Sequence, residues 1–227
     1  MENTEIMDKI VSIEWDMFTS VNDGEERASC QEDRATFEGM RKAQFSAWPP
    51  DATASYLDDL EKARLGGRNL IEEKYIHMMK TTEPTQYDAL LHRIVSPPDD
   101  TALALAREIS DKLLEQTRIL FEEYPYVSGR GRPLYSALDY AAVSVETYQY
   151  SELLTYSAKT LAALKAHVDS LEKDGVSLAR VILENTVFFY GYKSLEAAEK
   201  TAKERADEAD EFYFEPSFGC SCGDCEI

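Results

Sequence analysis

The sequence predicts an all-α fold of about eight to ten helices. Apolar residues recur every three or four positions along most of the chain, as at Met7, Ile10 and Met17, which is the period of an amphipathic helix. No alternating run is long enough to require a sheet. Residues 27–70 are also echoed by residues 132–178, which predicts two helical halves, 1–95 and 100–210, packed about a pseudo-twofold axis within one domain.

The first half is predicted to contain about four helices. The first carries the apolar residues from Met7 to Phe18 and ends near Gly24. The next three run, in order, over residues 37–48, 51–66 and 69–80. Pro49 and Gly67 mark two of their ends, because proline cannot continue a helix and glycine favours the conformation of a C-terminal cap.

The second half repeats this order after a short helix at 88–95 and a loop at 96–100. Its predicted helices run over residues 101–124, 142–156, 158–173, 177–190 and 194–209. The long helix at 101–124 takes the place of the first helix of the chain, and the loop at 128–133 takes the place of the loop at Arg27. Residues 211–227 are predicted to form an acidic, cysteine-rich flexible tail.

The charge balance restricts the class of partner. The chain has 43 acidic and 24 basic residues and a net charge of -19 at pH 7. Binding to nucleic acid or to an anionic membrane requires a basic face, so we expect neither. No apolar run reaches the length of a membrane span, and the N-terminus lacks the features of a signal peptide. We therefore expect a cytoplasmic protein.

The internal echo holds without a gap from residue 44 onward. With an offset of 108 positions, Gln44 corresponds to Glu152 and Trp48 to Tyr156. Few of the matched positions are identical, and two unrelated helical hairpins share some of this pattern. A duplication and a chance likeness therefore both remain open.

Several short groups of residues resemble a bacterial family known as domain of unknown function 4125. The resemblance spans roughly residues 5–200 and implies no reaction. It excludes His77 and the C-terminal cysteines, so any role for them would be particular to this protein. The residues that carry the resemblance include Glu14, Trp15, Arg27, Cys30, Gln31, Arg41, Gln44, Trp48, Tyr56, Gly67, Arg68, Asn69, Lys74, Arg132, Tyr148, Glu152, Tyr156, Glu184, Asn185 and Tyr190.

The loop at 26–34 carries one group of candidate functional residues. The guanidinium of Arg27 is suited to a carboxylate or a phosphate, and Asp33 lies close by in sequence. Neighbouring arginines favour the thiolate form of Cys30, which makes this residue a candidate nucleophile. The alternative is that Cys30 is a small buried apolar residue and that Arg27 ties the loop to a helix through Asp33.

A second group lies on facing helices of the two halves. Tyr148, Glu152 and Tyr156 are spaced by four residues and share a helix face. The repeat places Arg41 and Gln44 opposite them, so we expect a pocket for a small polar or anionic molecule. The alternative is a buried ion-pair network that joins the halves. The candidate ligand-binding residues are Arg27, Asp33, Arg41, Gln44, Trp48, Arg132, Asp139, Tyr148 and Tyr156, and the candidate catalytic residues are Glu146, Glu152 and Cys30.

The C-terminal tail is a candidate metal site. Cys220, Cys222 and Cys225 are close enough in sequence to bind Zn or Cu, which favour thiolate ligands. A redox-active thiol cluster is the competing interpretation. Carboxylate and histidine pairs at Glu73 with His77, and at Asp88 with His92, suggest a helical di-metal site only weakly, because the Glu-x-x-His pattern of carboxylate bundles is absent.

Three classes of function therefore follow from the sequence. The first, which we favour, is a small-molecule binder or enzyme with a charged, aromatic-lined pocket between the halves. The second is a helical interaction or scaffold module, which predicts charges satisfied internally and an exposed apolar patch elsewhere. The third is a metal or thiol-redox protein that uses the tail.

Overall fold

The computed structural model describes residues 2–21, 29–129 and 131–209. Within these ranges the fold is all-α, with ten α-helices and no strand, which confirms the predicted fold class. None of the described helices combines the length and the apolar character that a membrane span requires. The helices are α1 (Asn3–Ser20), α2 (Arg34–Phe45), α3 (Pro50–Leu65), α4 (Leu70–Thr82), α5 (Pro84–Leu90), α6 (Asp100–Glu123), α7 (Val145–Leu153), α8 (Ala158–Lys173), α9 (Leu178–Phe189) and α10 (Leu195–Ala209).

Local sequence signals set most of the helix ends. Six helices begin after a residue whose side chain accepts a hydrogen bond from a backbone N–H of the first turn, namely Asp33, Asn69, Asp99, Ser144, Ser157 and Ser177. Such caps satisfy N–H groups that have no partner inside the helix. Gly67 and Gly175 follow α3 and α8 with φ angles of 69° and 72°. Glycine adopts this left-handed conformation without steric cost.

The same set of helix pairings occurs in both halves. Helix α1 packs against α2, α3 and α4, and helix α6 packs against α7, α8 and α9. Across the junction, α2 packs on α9, α4 packs on α7, and α3 packs on α8. The internal repeat and the pseudo-twofold relation both stay predictions.

One large hydrophobic core joins the halves. Ile10 of α1, Leu60 of α3, Ile109 of α6 and Val168 of α8 are fully buried within it. A smaller cluster, which includes Val187 and residues of α10, holds the last helix. Because the core is shared, the facing surfaces of α2, α4 and α7 are held in fixed positions.

Helix α7 is shorter at both ends than the sequence predicts. It begins at Val145 instead of residue 142. The carboxylate of Asp139 accepts hydrogen bonds from the Ser144 backbone N–H (2.8 Å) and from the Thr147 hydroxyl (2.6 Å). These bonds hold residues 139–144 in a loop and place Ser144 as the helix cap.

Candidate functional site

Arg41 links carboxylates from the two halves. Its Nε and Nη2 donate to both carboxylate oxygens of Glu14 on α1, at 2.7 and 2.6 Å. Its Nη1 donates to Gln44 Oε1 at 2.8 Å and to Glu152 Oε1 of α7 at 3.1 Å. The guanidinium fork thus holds two buried carboxylates at once, which is a geometry that arginine suits better than lysine.

Glu152 is the acceptor at the centre of this network. It accepts hydrogen bonds from Gln44 Nε2 at 3.1 Å and from the Tyr156 hydroxyl at 2.7 Å. Burial alone would raise the pKa of Glu152, but the charges of Arg41 and Lys74 and these hydrogen bonds hold that pKa well below its ordinary value. Glu152 is therefore a carboxylate at neutral pH.

Aromatic rings form one wall of the network. The Tyr56 hydroxyl donates to Glu14 Oε1 at 2.7 Å. The Tyr56 and Tyr156 ring centroids are 4.6 Å apart, and Trp48 meets Tyr156 edge-on at 5.7 Å. Burial raises the pKa of both tyrosines, and the nearby carboxylates add to that effect. Both hydroxyls therefore remain protonated donors.

Lys74 on α4 forms the other end of the network. Its Nζ donates to the Tyr148 hydroxyl at 2.8 Å and lies 3.5 Å from Glu152 Oε2. Burial would lower the pKa of Lys74, but Tyr148 and Glu152 raise it above its ordinary value, so the side chain remains charged. At the surface, the Arg132 guanidinium stacks 4.7 Å from the centroid of the Tyr148 ring.

We name these residues the seam network and define it as Glu14, Arg41, Gln44, Trp48, Tyr56, Lys74, Tyr148, Glu152 and Tyr156. It contains two carboxylates and two cations, so its charges balance. In the part of the chain that the structure describes, every buried side-chain nitrogen and oxygen has a hydrogen-bond partner. The network therefore joins the two halves, as the structural alternative predicts, and it concentrates polar groups at their junction.

The residue that the predicted repeat pairs with Arg41 is neutral. With the offset of 108 positions, this residue is Gln149 of α7. Its Nε2 donates to the backbone carbonyl of Ser110 on α6 at 3.1 Å. The α1–α2 contact of the first half thus carries an ion pair, whereas the α6–α7 contact of the second half carries an amide.

The structure brings together six of the predicted site residues and places others elsewhere. Arg41, Gln44, Trp48, Tyr148, Glu152 and Tyr156 all belong to the seam network, and Arg132 lies at its surface edge. Asp33 caps α2 through the Thr36 N–H at 3.0 Å. Glu146 accepts from the Ser136 N–H at 2.8 Å, and Asp139 holds the loop before α7.

Of the remaining candidates, the structure describes Cys30. This side chain is half-buried and packs against the core. Arg27, Cys220, Cys222 and Cys225 lie outside the described residues, so the predicted Zn or Cu site at the cysteines stays a prediction. Within residues 2–21, 29–129 and 131–209, no group of three histidine, cysteine, aspartate or glutamate side chains is placed to hold a metal ion.

Sequence reasoning missed Glu14, Tyr56 and Lys74 as members of the junction. Each is buried on a helix whose other buried residues are mostly apolar. A charged residue on the apolar stripe of a helix is the signal that points to such a position, because an unpaired buried charge is costly. The partner of Lys74 cannot be read from spacing, since Tyr148 is 74 residues away.

A groove of about 530 Å³ lies away from the seam network. It is lined only by residues of the second half, including Lys112, Glu172 and Val176. This groove does not correspond to the pocket expected between the halves, which stays a prediction.

Comparison with family models gives one match. The model described as "Protein of unknown function (DUF4125)" matches residues 4–200, which include the whole seam network. Comparison with the curated proteins and with the solved structures finds no match to this chain.

Proposed function

Because the chain belongs to the DUF4125 family, whose description assigns no activity, we propose a function from the chain's own residues: it is a small-molecule-binding protein or enzyme whose ligand is held at the junction of the two halves. The observation that carries the proposal is the seam network. It places an ionised carboxylate, Glu152, within hydrogen-bond reach of two cations and a tyrosine hydroxyl.

Stability alone is a poor explanation for these charges. Removing ionised groups from water is costly, and apolar residues of similar volume often give an equally stable or more stable interior. Buried charged groups with strongly shifted pKa values cluster at functional sites. Arg41, Lys74 and Glu152 have such shifts. A small polar or anionic molecule that enters beside Tyr148 would meet donors that are already oriented.

Mass spectrometry of the purified protein tests this proposal. A small molecule that co-purifies with the native protein and is released on denaturation is the expected result. Gln44→Leu should lose most of that molecule, because the amide bonds both Arg41 and Glu152. Gln149→Leu is the matched control, since Gln149 is also half-buried but bonds Ser110, a residue outside the seam network.

Two outcomes would count against the proposal. One is that no small molecule co-purifies from cells grown in several media. The other is equal retention by the two glutamine variants, with circular dichroism showing that both are folded.

A second candidate function is a protein-interaction module, which one observation favours. Met40 of α2 and Phe189 and Tyr190 at the end of α9 are 42%, 46% and 39% exposed. The Tyr190 hydroxyl lies 3.9 Å from the Met40 sulfur, and the Phe189 and Tyr190 rings meet at 5.1 Å, so the three side chains are contiguous. Contiguous exposed apolar surface is typical of binding surfaces.

Site-specific photo-crosslinking in cells tests the second candidate. A photoreactive residue at position 40 should give one discrete crosslinked partner. The same residue at position 65 should give none. Leu65 is 87% exposed and therefore open to crosslinking, but it lies at the C-terminal end of α3, which contributes no residue to this surface. Identical crosslinking patterns from the two positions would contradict an interaction surface.

A further inference from the structure

The edge of the seam network where Arg132 meets Tyr148 has the features of an anion site. We propose that Lys74, Tyr148 and Arg132 bind the phosphate group of a small phosphorylated molecule. This inference rests on the proposed function and names the chemical class of its ligand.

Lys74 has unused hydrogen-bond donor capacity. Its side chain is only 5% exposed, and an ammonium group has three N–H donors. One donor serves the Tyr148 hydroxyl at 2.8 Å, and a second lies at the limit of a hydrogen bond, 3.5 Å from Glu152. No other hydrogen-bond acceptor for Lys74 is found among the described residues. A buried cation with a spare donor is suited to an incoming anion.

The guanidinium of Arg132 also has donors to offer. This residue is exposed, and its Nη1 donates to the Val143 carbonyl at 3.1 Å. In the described part of the chain it forms no ion pair, although the protein carries a large excess of acidic residues. Most of the donors in its fork are therefore available, and arginine binds phosphate through such paired donors.

Lys74 and Arg132 lie close to the same aromatic ring. Lys74 Nζ lies 4.2 Å, and Arg132 Cζ 4.7 Å, from the centroid of the same Tyr148 ring. The two charges therefore lie at most about 9 Å apart, so a phosphate group at the edge of the ring, beside the Tyr148 hydroxyl, is placed to reach both cations through hydrogen bonds. Because Lys74 donates to the Tyr148 oxygen, the hydroxyl hydrogen of Tyr148 is free to point toward a ligand.

Arg132 adds a positive charge that no carboxylate of the described residues pairs with. The carboxylates of Glu146 and Asp139 form their hydrogen bonds with Ser136, Ser144 and Thr147, and neither forms an ion pair with Lys74 or Arg132 in the described part of the chain. A phosphate monoester offers three acceptor oxygens, so it can use the spare donors of Lys74 and Arg132 together better than a carboxylate with two oxygens can.

Calorimetric titration of the full chain with inorganic phosphate and with glycerol phosphate tests the inference. We expect saturable binding that Arg132→Gln weakens about tenfold, since each charge-assisted hydrogen bond contributes on that scale. Tyr148→Phe should also weaken binding, because it removes the hydroxyl that orients Lys74. The matched control is Arg107→Gln: Arg107 is exposed and stacks 3.8 Å from the centroid of the Tyr150 ring.

The outcomes separate the site from general charge effects. Weaker binding in both site variants but not in Arg107→Gln supports the inference. Absence of saturable phosphate binding, equal weakening by Arg107→Gln, or an effect of Arg132→Gln without one of Tyr148→Phe would overturn it. A co-purified ligand without phosphate would refute this inference and leave the proposed function standing. If no small molecule co-purifies with the protein, both would be refuted.

Discussion

At the scale of single residues, Arg41 is notable because it bonds both buried carboxylates of the seam network. It pairs with Glu14 and also reaches Glu152, and all three side chains are buried. Removing one partner of a buried ion pair leaves a charge without compensation in a region of low dielectric constant. The cost of a substitution therefore depends on which member is removed and on how many partners lose their bond.

Arg41→Met tests this dependence. We expect the variant to lose about 3–5 kcal/mol of unfolding free energy, because Glu14 loses the cation that it pairs with and Glu152 loses one of its two cations. Urea denaturation of the variant and the parent measures the change. Arg34→Met is the control, since the Arg34–Glu38 pair is exposed to solvent and such pairs contribute less than about 1 kcal/mol. Similar losses in the two variants would show that the buried network adds little.

His77 on α4 predicts a pH dependence of stability. Burial, with a smaller effect of Lys80, lowers the pKa of His77 to about 4. The folded protein keeps this side chain neutral, whereas the unfolded chain takes up a proton below its ordinary pKa of about 6.5. The unfolded state thus binds more protons in this window, and stability is lost as the pH falls from about 6.5 toward 4.

The corresponding measurement is urea unfolding at pH 7 and at pH 4.5. His77→Gln should reduce the difference in unfolding free energy between the two pH values by about 2 kcal/mol. His92→Gln, at an exposed histidine, should leave the difference as it is in the parent. An unchanged pH dependence in His77→Gln would contradict the neutral buried histidine.

At the scale of helices, the contact of α2 with α9 depends on close approach. A Cβ atom at Gly39 would lie 2.0 Å from an atom of the Phe189 ring, so the ring occupies the space of the missing side chain. Asn185 of α9 also donates to the Ala43 carbonyl of α2 at 3.0 Å. Glycine is a poor helix former, so its place inside α2 is explained by the packing of the Phe189 ring and not by helix propensity.

A double-mutant cycle tests this packing. Gly39→Ala should destabilise the protein by about 1–3 kcal/mol, because the Phe189 ring has to move. In a Phe189→Ala background the same change should become stabilising by up to about 1 kcal/mol, since alanine is the better helix former. Thermal unfolding of the four proteins measures the coupling. Additive effects would show that the ring and the glycine do not interact.

Local sequence signals predicted the positions of the helices, and the helix ends that differ from the prediction have local causes. The predicted helix at 158–173 matches α8, because Ser157 caps its start and Gly175 follows its end. Helix α2 starts three residues before its predicted start, since Asp33 caps it. Helix spacing predicted that Tyr148, Glu152 and Tyr156 share a face, whereas the pairing of Lys74 with Tyr148 depends on the packing of α4 against α7, which no local pattern encodes.

At the scale of the whole molecule, the junction of the halves contains both the shared core and the seam network. Helices α1 and α6 each pack against three helices of their own half, and three further pairings cross the junction. A half without its partner would expose apolar residues and unpaired charges together. The two halves should therefore depend on each other for folding.

Splitting the chain in the loop at 96–99 tests this dependence. We expect fragments 1–97 and 98–227 to be unfolded when expressed separately and to form a folded one-to-one complex when expressed together. Circular dichroism and size-exclusion chromatography measure both properties. A stable folded monomer from either fragment would contradict the shared core.

The difference between the α1–α2 and α6–α7 contacts has a consequence for how the chain tolerates sequence change. A change at position 41 leaves Glu14 without its ion-pair partner, and a change at position 14 removes one of the two carboxylates that Arg41 bonds, so either position should accept few replacements in a library of all single variants. Gln149 bonds a backbone carbonyl and the Ser110 hydroxyl, and a backbone acceptor persists whatever residue occupies position 110. Positions 110 and 149 should therefore tolerate a wider range of small and medium-sized residues than positions 14 and 41.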